Sequence, residues 1–259
     1  MDGLVAALAL GLVQGLTEFL PVSSSGHLVL GQFLLNYHPP GLALESAVHL
    51  ATLGAIVAYY RGSLMRSLWQ ERALWVQVGI ALAVTGGIGL LLRPRVEAGF
   101  QSLWLTGAGW LFTGLVLLAS QRRLQKAGNG ERPTWRGAVL VGLAQGLALF
   151  PGVSRSGMTI ATALWVGLAP HQAVRFSFFL ALPTVLGATA LELGREAMGA
   201  TTPAVPWGQV LIASVVAGVS GWLAIGWLLR WLARGRLWAF GAYCLVLGVV
   251  VLALASRMG

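Results

Sequence analysis

Charged side chains are scarce in this 259-residue chain: Asp, Glu, Lys and Arg together make up 10% of it, whereas about 25% is usual in a soluble domain. Hydrophobic residues account for 57%, and the mean hydropathy is +0.78. This composition excludes a water-soluble globule, a disordered chain and a coiled coil, because too few polar residues are available to form a hydrated surface. The sequence therefore predicts an all-α integral membrane protein, with residues 1–259 forming a single membrane domain.

Cysteine and acidic residues are the other scarce residue types. Cys244 is the only cysteine, so an intramolecular disulfide and a cysteine-based metal site are both excluded. Asp and Glu number 8 against 17 Lys and Arg, which gives a formal charge of +9. Because the basic residues form no stripe on an amphipathic segment, we expect no nucleic-acid partner. We expect them instead to set the topology and to contact membrane lipid.

Six apolar segments are long enough to cross a membrane, for which roughly 20 residues are required. Two longer apolar stretches do not fit this pattern, because residues 4–35 are interrupted by Pro-Val-Ser-Ser-Ser-Gly and residues 137–168 by Pro-Gly-Val-Ser-Arg-Ser-Gly. Each stretch is too long for one span and too short for two, so we predict two re-entrant helix pairs that enter and leave on one side. The six predicted transmembrane helices are 42–60, 73–92, 102–119, 171–193, 208–229 and 238–255.

The Lys and Arg residues indicate the orientation. If the six segments cross and the broken stretches are re-entrant, the loops 61–72, 120–136 and 230–236 lie on one side and hold eleven of the 17 basic residues. The opposite side receives four of them. The positive-inside rule then makes the first side cytoplasmic, and both termini face outward.

The two broken stretches are copies of one another. GLVQGLTEFLPVSSSGH at 11–27 and GLAQGLALFPGVSRSGM at 142–158 agree at ten of 17 positions without a gap. Three predicted spans separate the copies, and an odd number inverts the second copy relative to the first. We therefore predict an inverted-topology repeat, about 1–119 and about 137–255, whose broken helices form a site near the bilayer midplane.

The two breaks, called here the first tip (residues 21–27) and the second tip (residues 151–159), differ mainly in groups that ionise. An ionisable side chain in apolar surroundings is costly and indicates a functional role by default. Glu18 stands opposite Leu149, His27 opposite Met158, and Arg155 opposite Ser24.

A Ser/Gly turn that leads into a helix offers free N–H groups and the positive end of the helix dipole, which together suit an anion. Arg155 adds a planar guanidinium that matches a phosphate or a carboxylate. The candidate substrate-binding residues are therefore Ser23, Ser25 and Gly26 of the first tip and Ser154, Ser156, Gly157 and Thr159 of the second.

The candidate catalytic residues are Glu18, Ser24, His27 and Arg155. They suit phosphoryl transfer, in which Arg155 neutralises developing charge and either Ser24, activated by His27, or His27 itself attacks. Glu18 and Gln14 are four residues apart on one helix face and can hold a divalent cation through oxygen ligands.

Other interpretations are open. Tips of this composition also break helices in transporters, so the alternative function is a transporter or flippase of an anionic lipid or a small anion. Glu18 and Arg155 can form a purely structural ion pair, and His27 can serve as a helix cap. His49, four residues after Glu45, either packs structurally or supports the site. A serine and a histidine beside an acid favour bond cleavage, since transport requires binding groups only.

Two motifs resemble a known family. EFLPVSSSGH at 18–27 and PGVSRSGMT at 151–159 resemble the signature motifs of the undecaprenyl-pyrophosphate phosphatase family of the bacitracin-resistance type. RFSFFLALPTVLGATALEL at 175–193 is also similar to the pattern of that family. The resemblance covers essentially the whole chain.

The resemblance implies hydrolysis of undecaprenyl pyrophosphate, a polyprenyl diphosphate lipid, to undecaprenyl phosphate and inorganic phosphate. It implies an outward-facing site in the bacterial cytoplasmic membrane and a requirement for Mg²⁺ or Ca²⁺. The acidic motif of the family falls on Gln14 and Glu18, with Gln in place of the commoner Glu. Its serine and histidine fall on Ser24 and His27, and its essential arginine falls on Arg155. The sequence is compatible with a monomer or a homo-oligomer.

Overall fold

The computed structural model describes residues 3–35, 43–126, 128–198 and 207–258. This part of the chain is almost entirely helical and contains no strand, only an isolated β-bridge between Gly130 and Leu168. Its helices are α1 (Gly3–Phe19), α2 (Ser24–Leu35), α3 (Ala43–Gln70), α4 (Arg72–Gly99), α5 (Leu103–Gln125), α6 (Trp135–Leu147), α7 (Arg155–Trp165), α8 (Pro170–Met198), α9 (Trp207–Ala233) and α10 (Leu237–Met258).

Five helices in the described part of the chain are long and apolar enough to cross a membrane: α4, α5, α8, α9 and α10. The prediction of an all-α integral membrane protein is therefore confirmed. The remaining predicted span, 42–60, falls on α3, which has 28 residues but is not among those five. The first residue of that predicted span, residue 42, lies outside the described residues.

The long helices extend beyond the predicted apolar segments. The predicted loop 61–72 is wrong, because α3 continues to Gln70 and α4 begins at Arg72, so that only Glu71 lies between the two helices. The helical backbone of α3 continues beyond the apolar segment, where Arg61 and Arg66 are exposed. A hydropathy pattern detects only the apolar part of such a helix.

Both broken stretches form two short helices joined by a tip. The helices α1, α2, α6 and α7 have 17, 12, 13 and 11 residues, fewer than the roughly 20 that a span requires. The breaks fall where the sequence predicts them, at residues 20–23 and 148–154. The side from which each pair enters the membrane stays a prediction.

Equivalent glycines of the two copies pack against equivalent helices. Helix α1 lies against α9, and α6 lies against α4. A Cβ atom on Gly11 would approach the carbonyl oxygen of Ala213 to 2.5 Å, and a Cβ atom on Gly142 would approach that of Ala81 to 2.7 Å. The absence of a side chain therefore lets each first half-helix contact the backbone of a long helix.

A side chain of α8 packs against the last residue of α1. Phe178 is buried, and its ring meets that of Phe19 edge to face at a centroid distance of 5.2 Å. Phe19 is the last residue of α1, directly after Glu18 and before the first tip. This packing holds the start of the tip in a fixed position within the core.

Candidate active site

Glu18 and Arg155 form an ion pair that joins the two halves of the chain. The Nη2 group of Arg155, the first residue of α7, donates a hydrogen bond to Oε1 of Glu18 near the end of α1. The Glu18 residue is only 6% exposed. A buried carboxylate requires such a partner, since an unpaired charge in the interior is strongly destabilising. The two tips therefore meet at this pair.

The other oxygen of Glu18 accepts two hydrogen bonds from its own half. The Nε2 group of Gln14 donates to Glu18 Oε2 at 2.8 Å, and the hydroxyl of Ser24 donates to the same oxygen at 2.6 Å. Because a carboxylate only accepts, the proton of Ser24 points toward Glu18. Glu18 is thus the base within reach of the serine hydroxyl.

His49 of α3 faces the same carboxylate. Its Nε2 atom lies 3.9 Å from Glu18 Oε2. Its Nδ1 atom lies 2.8 Å from the carbonyl oxygen of Glu45, and a carbonyl only accepts, so that Nδ1 carries a proton. Of the two roles that the sequence leaves open, this position favours support of the site over packing alone.

Ser23 organises the first tip. Its φ angle is +67°, a left-handed conformation that is uncommon for a residue other than glycine and is found where surrounding structure enforces it. Its hydroxyl accepts a hydrogen bond from the Gly26 N–H at 3.3 Å, and its carbonyl oxygen lies 2.7 Å from His27 Nδ1. Ser23 thereby caps α2 and orients the imidazole.

His27 is surrounded by two aromatic rings. Its Nε2 atom lies 2.7 Å from the hydroxyl of Tyr243 in α10, and the two rings are stacked with an interplanar angle of 3°. The ring of Trp110 in α5 meets the imidazole edge to face at 5.2 Å. Among the described residues no hydrogen bond joins His27 to Ser24, which is paired with Glu18 instead.

The second tip is fixed by its hydroxyl groups. Ser154 caps α7, accepting a hydrogen bond from the Gly157 N–H at 3.0 Å. Ser156 donates to the carbonyl oxygen of Leu20 in the other half at 2.8 Å, and the hydroxyls of Thr159 and Ser177 are 2.6 Å apart. These predicted substrate-binding side chains therefore have structural contacts of their own.

Side chains also satisfy the backbone carbonyls that the breaks expose. Thr113 of α5 donates to the carbonyl oxygen of Gly152 at 3.1 Å. Trp110 of the same helix donates through Nε1 to the carbonyl oxygen of Val22 at 2.8 Å. Irregular backbone at membrane depth requires partners of this kind, so that both tips are held rigidly by α5.

Free donors remain at both helix starts. The N–H groups of Ser24 and Ser25 in α2 and of Arg155 and Ser156 in α7 have no hydrogen-bond acceptor among the described residues. Such first-turn N–H groups, at the positive end of a helix dipole, bind anions. The predicted anion-binding character of the tips thus rests on backbone groups and Arg155 rather than on most of the hydroxyls.

The oxygen ligands for a cation are few. Among the described residues no three His, Cys, Asp or Glu side chains come together as a metal site. The Oε1 atom of Gln14 is nevertheless buried and has no hydrogen-bond partner in the described part of the chain. A free amide oxygen next to the Glu18 carboxylate fits a cation that takes its other ligands from phosphate and water, as Mg²⁺ often does.

Comparison with known proteins decides the family. A sequence profile of the family described as bacitracin resistance protein BacA matches residues 7–250. The chain belongs to this family. Undecaprenyl-diphosphatase 2 of Halalkalibacterium halodurans is 34% identical to it over 263 residues, covering 96% of this chain and 95% of the relative. The undecaprenyl-diphosphatase of Mycolicibacterium gilvum is 37% identical over 269 residues, covering 95% of each chain.

The match to the BacA family includes both tips and the helices that hold them. Glu18, Ser24, His27 and Arg155 all fall inside the matched residues 7–250, as does Tyr243. Another relative, the undecaprenyl-diphosphatase of Halothermothrix orenii, is 34% identical over 250 residues, which cover 95% of this chain and 96% of the relative. The resemblance noted from the two motifs is therefore confirmed over nearly the full length.

Proposed function

We propose that this protein is a membrane phosphatase that hydrolyses undecaprenyl pyrophosphate to undecaprenyl phosphate and inorganic phosphate, and that it thereby confers bacitracin resistance. The relatives named above are undecaprenyl-diphosphatases, and the chemistry of the tips suits the same reaction. The observation that carries the proposal is the convergence of Arg155 and Ser24 on the two oxygens of Glu18.

Arg155 and the first-turn N–H groups of α2 and α7 hold the diphosphate. A guanidinium has five N–H donors, so Arg155 can bind phosphate oxygens while it keeps its contact with Glu18. Both tips present positive helix ends to the same anion, which neutralises the charge that develops on the transferred phosphoryl group.

Ser24 supplies the nucleophile. Its oxygen attacks the terminal phosphorus, its proton passes to Glu18, and the bond from that phosphorus to the bridging oxygen breaks to release undecaprenyl phosphate. Water then attacks the phosphorus of the phosphoserine and gives a proton to Nε2 of His27. The bond from phosphorus to the Ser24 oxygen breaks, that oxygen takes its proton back from Glu18, and inorganic phosphate is released. The competing route is direct attack by His27, which places the phosphate on its Nε2 atom instead.

Glu18 and Gln14 Oε1 would hold the divalent cation, Mg²⁺ or Ca²⁺, together with oxygens of the substrate. A cation bound there would neutralise phosphate charge and polarise the phosphoryl oxygens. The protein residues alone provide one carboxylate and one free amide oxygen, which fits a weakly held ion that binds together with the substrate.

The proposed location is the bacterial cytoplasmic membrane, with the site and both termini on the outer side. The support is the distribution of basic residues, eleven on the proposed cytoplasmic side and four on the other. The isoprenoid chain of the substrate would lie along lipid-facing helices, where each buried CH₂ contributes about 0.8 kcal/mol.

Phosphate release from the purified protein in detergent, with a polyprenyl diphosphate and Mg²⁺ or Ca²⁺, tests the proposal. We expect turnover by the wild type and losses of at least about 100-fold in Glu18→Ala and Arg155→Ala. Arg93→Ala is the matched control, since Arg93 forms an exposed pair with Glu97 within α4. Tight binding without release by the wild type would instead support a transporter or flippase.

A further inference from the structure

We propose that Tyr243 is a positioning residue for His27. Its hydroxyl holds the Nε2 end of the imidazole, while the Ser23 carbonyl holds the Nδ1 end. The inference about the reaction rests on the proposed phosphatase function. The inference about the hydrogen bond does not. No pattern in the sequence links these residues, since they are 216 positions apart and Tyr243 lies in an apolar run.

The hydrogen-bond directions follow from the partners. The Ser23 carbonyl oxygen, 2.7 Å from Nδ1, only accepts, so Nδ1 carries the proton of the neutral ring. Nε2 is then the unprotonated nitrogen, and the Tyr243 hydroxyl at 2.7 Å donates to it. Nε2 is therefore the atom available as a proton acceptor in the reaction, and Tyr243 is the residue that contacts it.

The ring geometry fixes the plane of the imidazole as well as its ends. The Tyr243 ring stacks on it at a centroid distance of 5.7 Å, and the Trp110 ring meets it edge to face at 5.2 Å. Trp110 is fully buried and also holds the carbonyl of Val22, so that its loss would disturb the fold. Tyr243 is 47% exposed, and its hydroxyl can be removed without leaving a cavity.

Helix α10 is itself fixed against the first tip. Cys244, next to Tyr243, is buried, and its Sγ atom lies 3.6 Å from the carbonyl oxygen of Pro21. Helix α10 also packs along α5, the helix that carries Trp110. Two adjacent residues of α10 thus contact the first tip, and the position of the phenol is set by the backbone rather than by a flexible loop.

The consequence for catalysis is a preset orientation of Nε2. Before substrate binds, the Tyr243 hydroxyl donates a hydrogen bond to Nε2. This hydrogen bond must break so that the attacking water can donate to Nε2 when the phosphoserine is cleaved. The half-exposed phenol can release it by a side-chain rotation. Between turnovers it returns the ring to one orientation, which lowers the entropy lost on reaching the reactive geometry.

Tyr243→Phe tests the proposal, because it removes the hydroxyl and keeps the ring. In protein labelled with ¹⁵N-histidine at about pH 8, above the ordinary imidazole pKa of about 6.5, we expect the Nε2 resonance of His27 to move toward that of a nitrogen that accepts no hydrogen bond. Loss of the peak in His27→Gln assigns it. We expect kcat to fall about threefold to tenfold, as for one net hydrogen bond, while KM stays within about twofold.

Tyr59→Phe is the matched control, because Tyr59 packs against Tyr60 and Trp222 and takes no part in the tips. Neither the His27 resonance nor kcat should change in it. An unmoved Nε2 resonance in Tyr243→Phe overturns the proposal, and so does an unchanged kcat. A raised KM with an unmoved resonance assigns Tyr243 to substrate contact and also overturns it. Absence of turnover in the wild type contradicts the phosphatase function alone, since the resonance still reports the hydrogen bond.

Discussion

The Ser24 hydroxyl donates a hydrogen bond to Oε2 of the Glu18 carboxylate at 2.6 Å. A serine and a histidine near one another in a sequence suggest the familiar pairing in which histidine is the base. Here the turn at Ser23 directs the Ser24 hydroxyl toward Glu18, and His27 is held by Ser23 and Tyr243. In the proposed mechanism, this pairing makes the Glu18 carboxylate, rather than the imidazole, the group that activates Ser24.

Replacing Ser24 with Ala should abolish turnover, with at least about a 100-fold fall in kcat, because the attacking oxygen is lost. Phosphate release and trapping of a phosphorylated enzyme are the measurements, with the modified residue located by mass spectrometry. Thr17→Ala is the control, since Thr17 lies beside Glu18 in α1 but bonds only to the Val13 carbonyl. Phosphate trapped on His27, or full turnover by Ser24→Ala, would assign the attack to the imidazole.

Removing either partner of the Glu18–Arg155 pair should destabilise the protein by about 3–5 kcal/mol, because the other charge stays buried and unpaired. The double variant Glu18→Ala/Arg155→Ala should be more stable than the sum of the two single losses predicts. Unfolding in detergent, analysed as a double-mutant cycle, measures this coupling. Strictly additive losses would show that the two side chains do not interact.

Gln14→Glu should strengthen cation binding. A second carboxylate beside Glu18 adds charge to the ligand set and repels its neighbour unless a cation lies between them. We expect the Mg²⁺ or Ca²⁺ concentration for half-maximal activity to fall, so that a higher chelator concentration is needed to abolish the activity of the variant than that of the wild type. Gln145→Glu is the comparison, because Gln145 is the repeat equivalent and bonds to Thr85 and Thr184. An unchanged cation requirement in Gln14→Glu would remove Gln14 from the proposed cation site.

Gly11→Ala should weaken the contact between α1 and α9. The added methyl group would lie 2.5 Å from the Ala213 carbonyl oxygen, and overpacking of this kind costs typically about 1–3 kcal/mol. Gly79→Ala, where the methyl group would meet nothing within 4 Å, should be neutral or slightly stabilising, since Ala is the better helix former. Thermal unfolding in detergent compares the two variants. Equal effects would show that α1 and α9 are not in close contact.

The orientation can be measured with single cysteines in a Cys244→Ser background. Arg95→Cys should react with a membrane-impermeant maleimide added to intact spheroplasts, whereas Arg132→Cys should react only after the membrane is permeabilised. Both positions are exposed in the structure, so accessibility within the protein is not limiting. The reverse pattern would place the tips and the termini the other way round.

The sequence predicts five of the helices that are long and apolar enough to cross, and the two places where helices break, because apolar length and Pro/Gly/Ser turns are local features. It also places Glu18, Ser24 and Arg155 at the tips, and the structure brings these three side chains together. The contact between the two tips could be predicted because the two copies of the repeat are recognisable in the sequence. The side chain of Glu18 has no counterpart in the second copy, where Leu149 lies against Gly89.

Residues that reach the site only through tertiary contacts could not be predicted in this way. Tyr243 and Trp110 lie within apolar helices, and nothing in their spacing relates them to His27. His49 shares its helix face with Glu45, but only the packing of α3 against α1 brings it toward Glu18. That Ser23 binds substrate stays a prediction. Its left-handed conformation and its cap of α2, which shape the tip, are not evident from the sequence.

The hydrogen bonds that Ser156 gives to Leu20 and that Thr113 gives to Gly152 cross between the two halves of the chain. At about 5–20 residues per second, the ribosome finishes the second tip roughly 7 to 26 seconds after the first. Throughout that interval the Leu20 carbonyl oxygen can accept from the Val22 N–H, at 2.7 Å in the folded protein, but its second donor, the Ser156 hydroxyl, has not yet been synthesised. The hydrogen bonds that hold the first tip are therefore complete only once the carboxy-terminal half of the chain is in place.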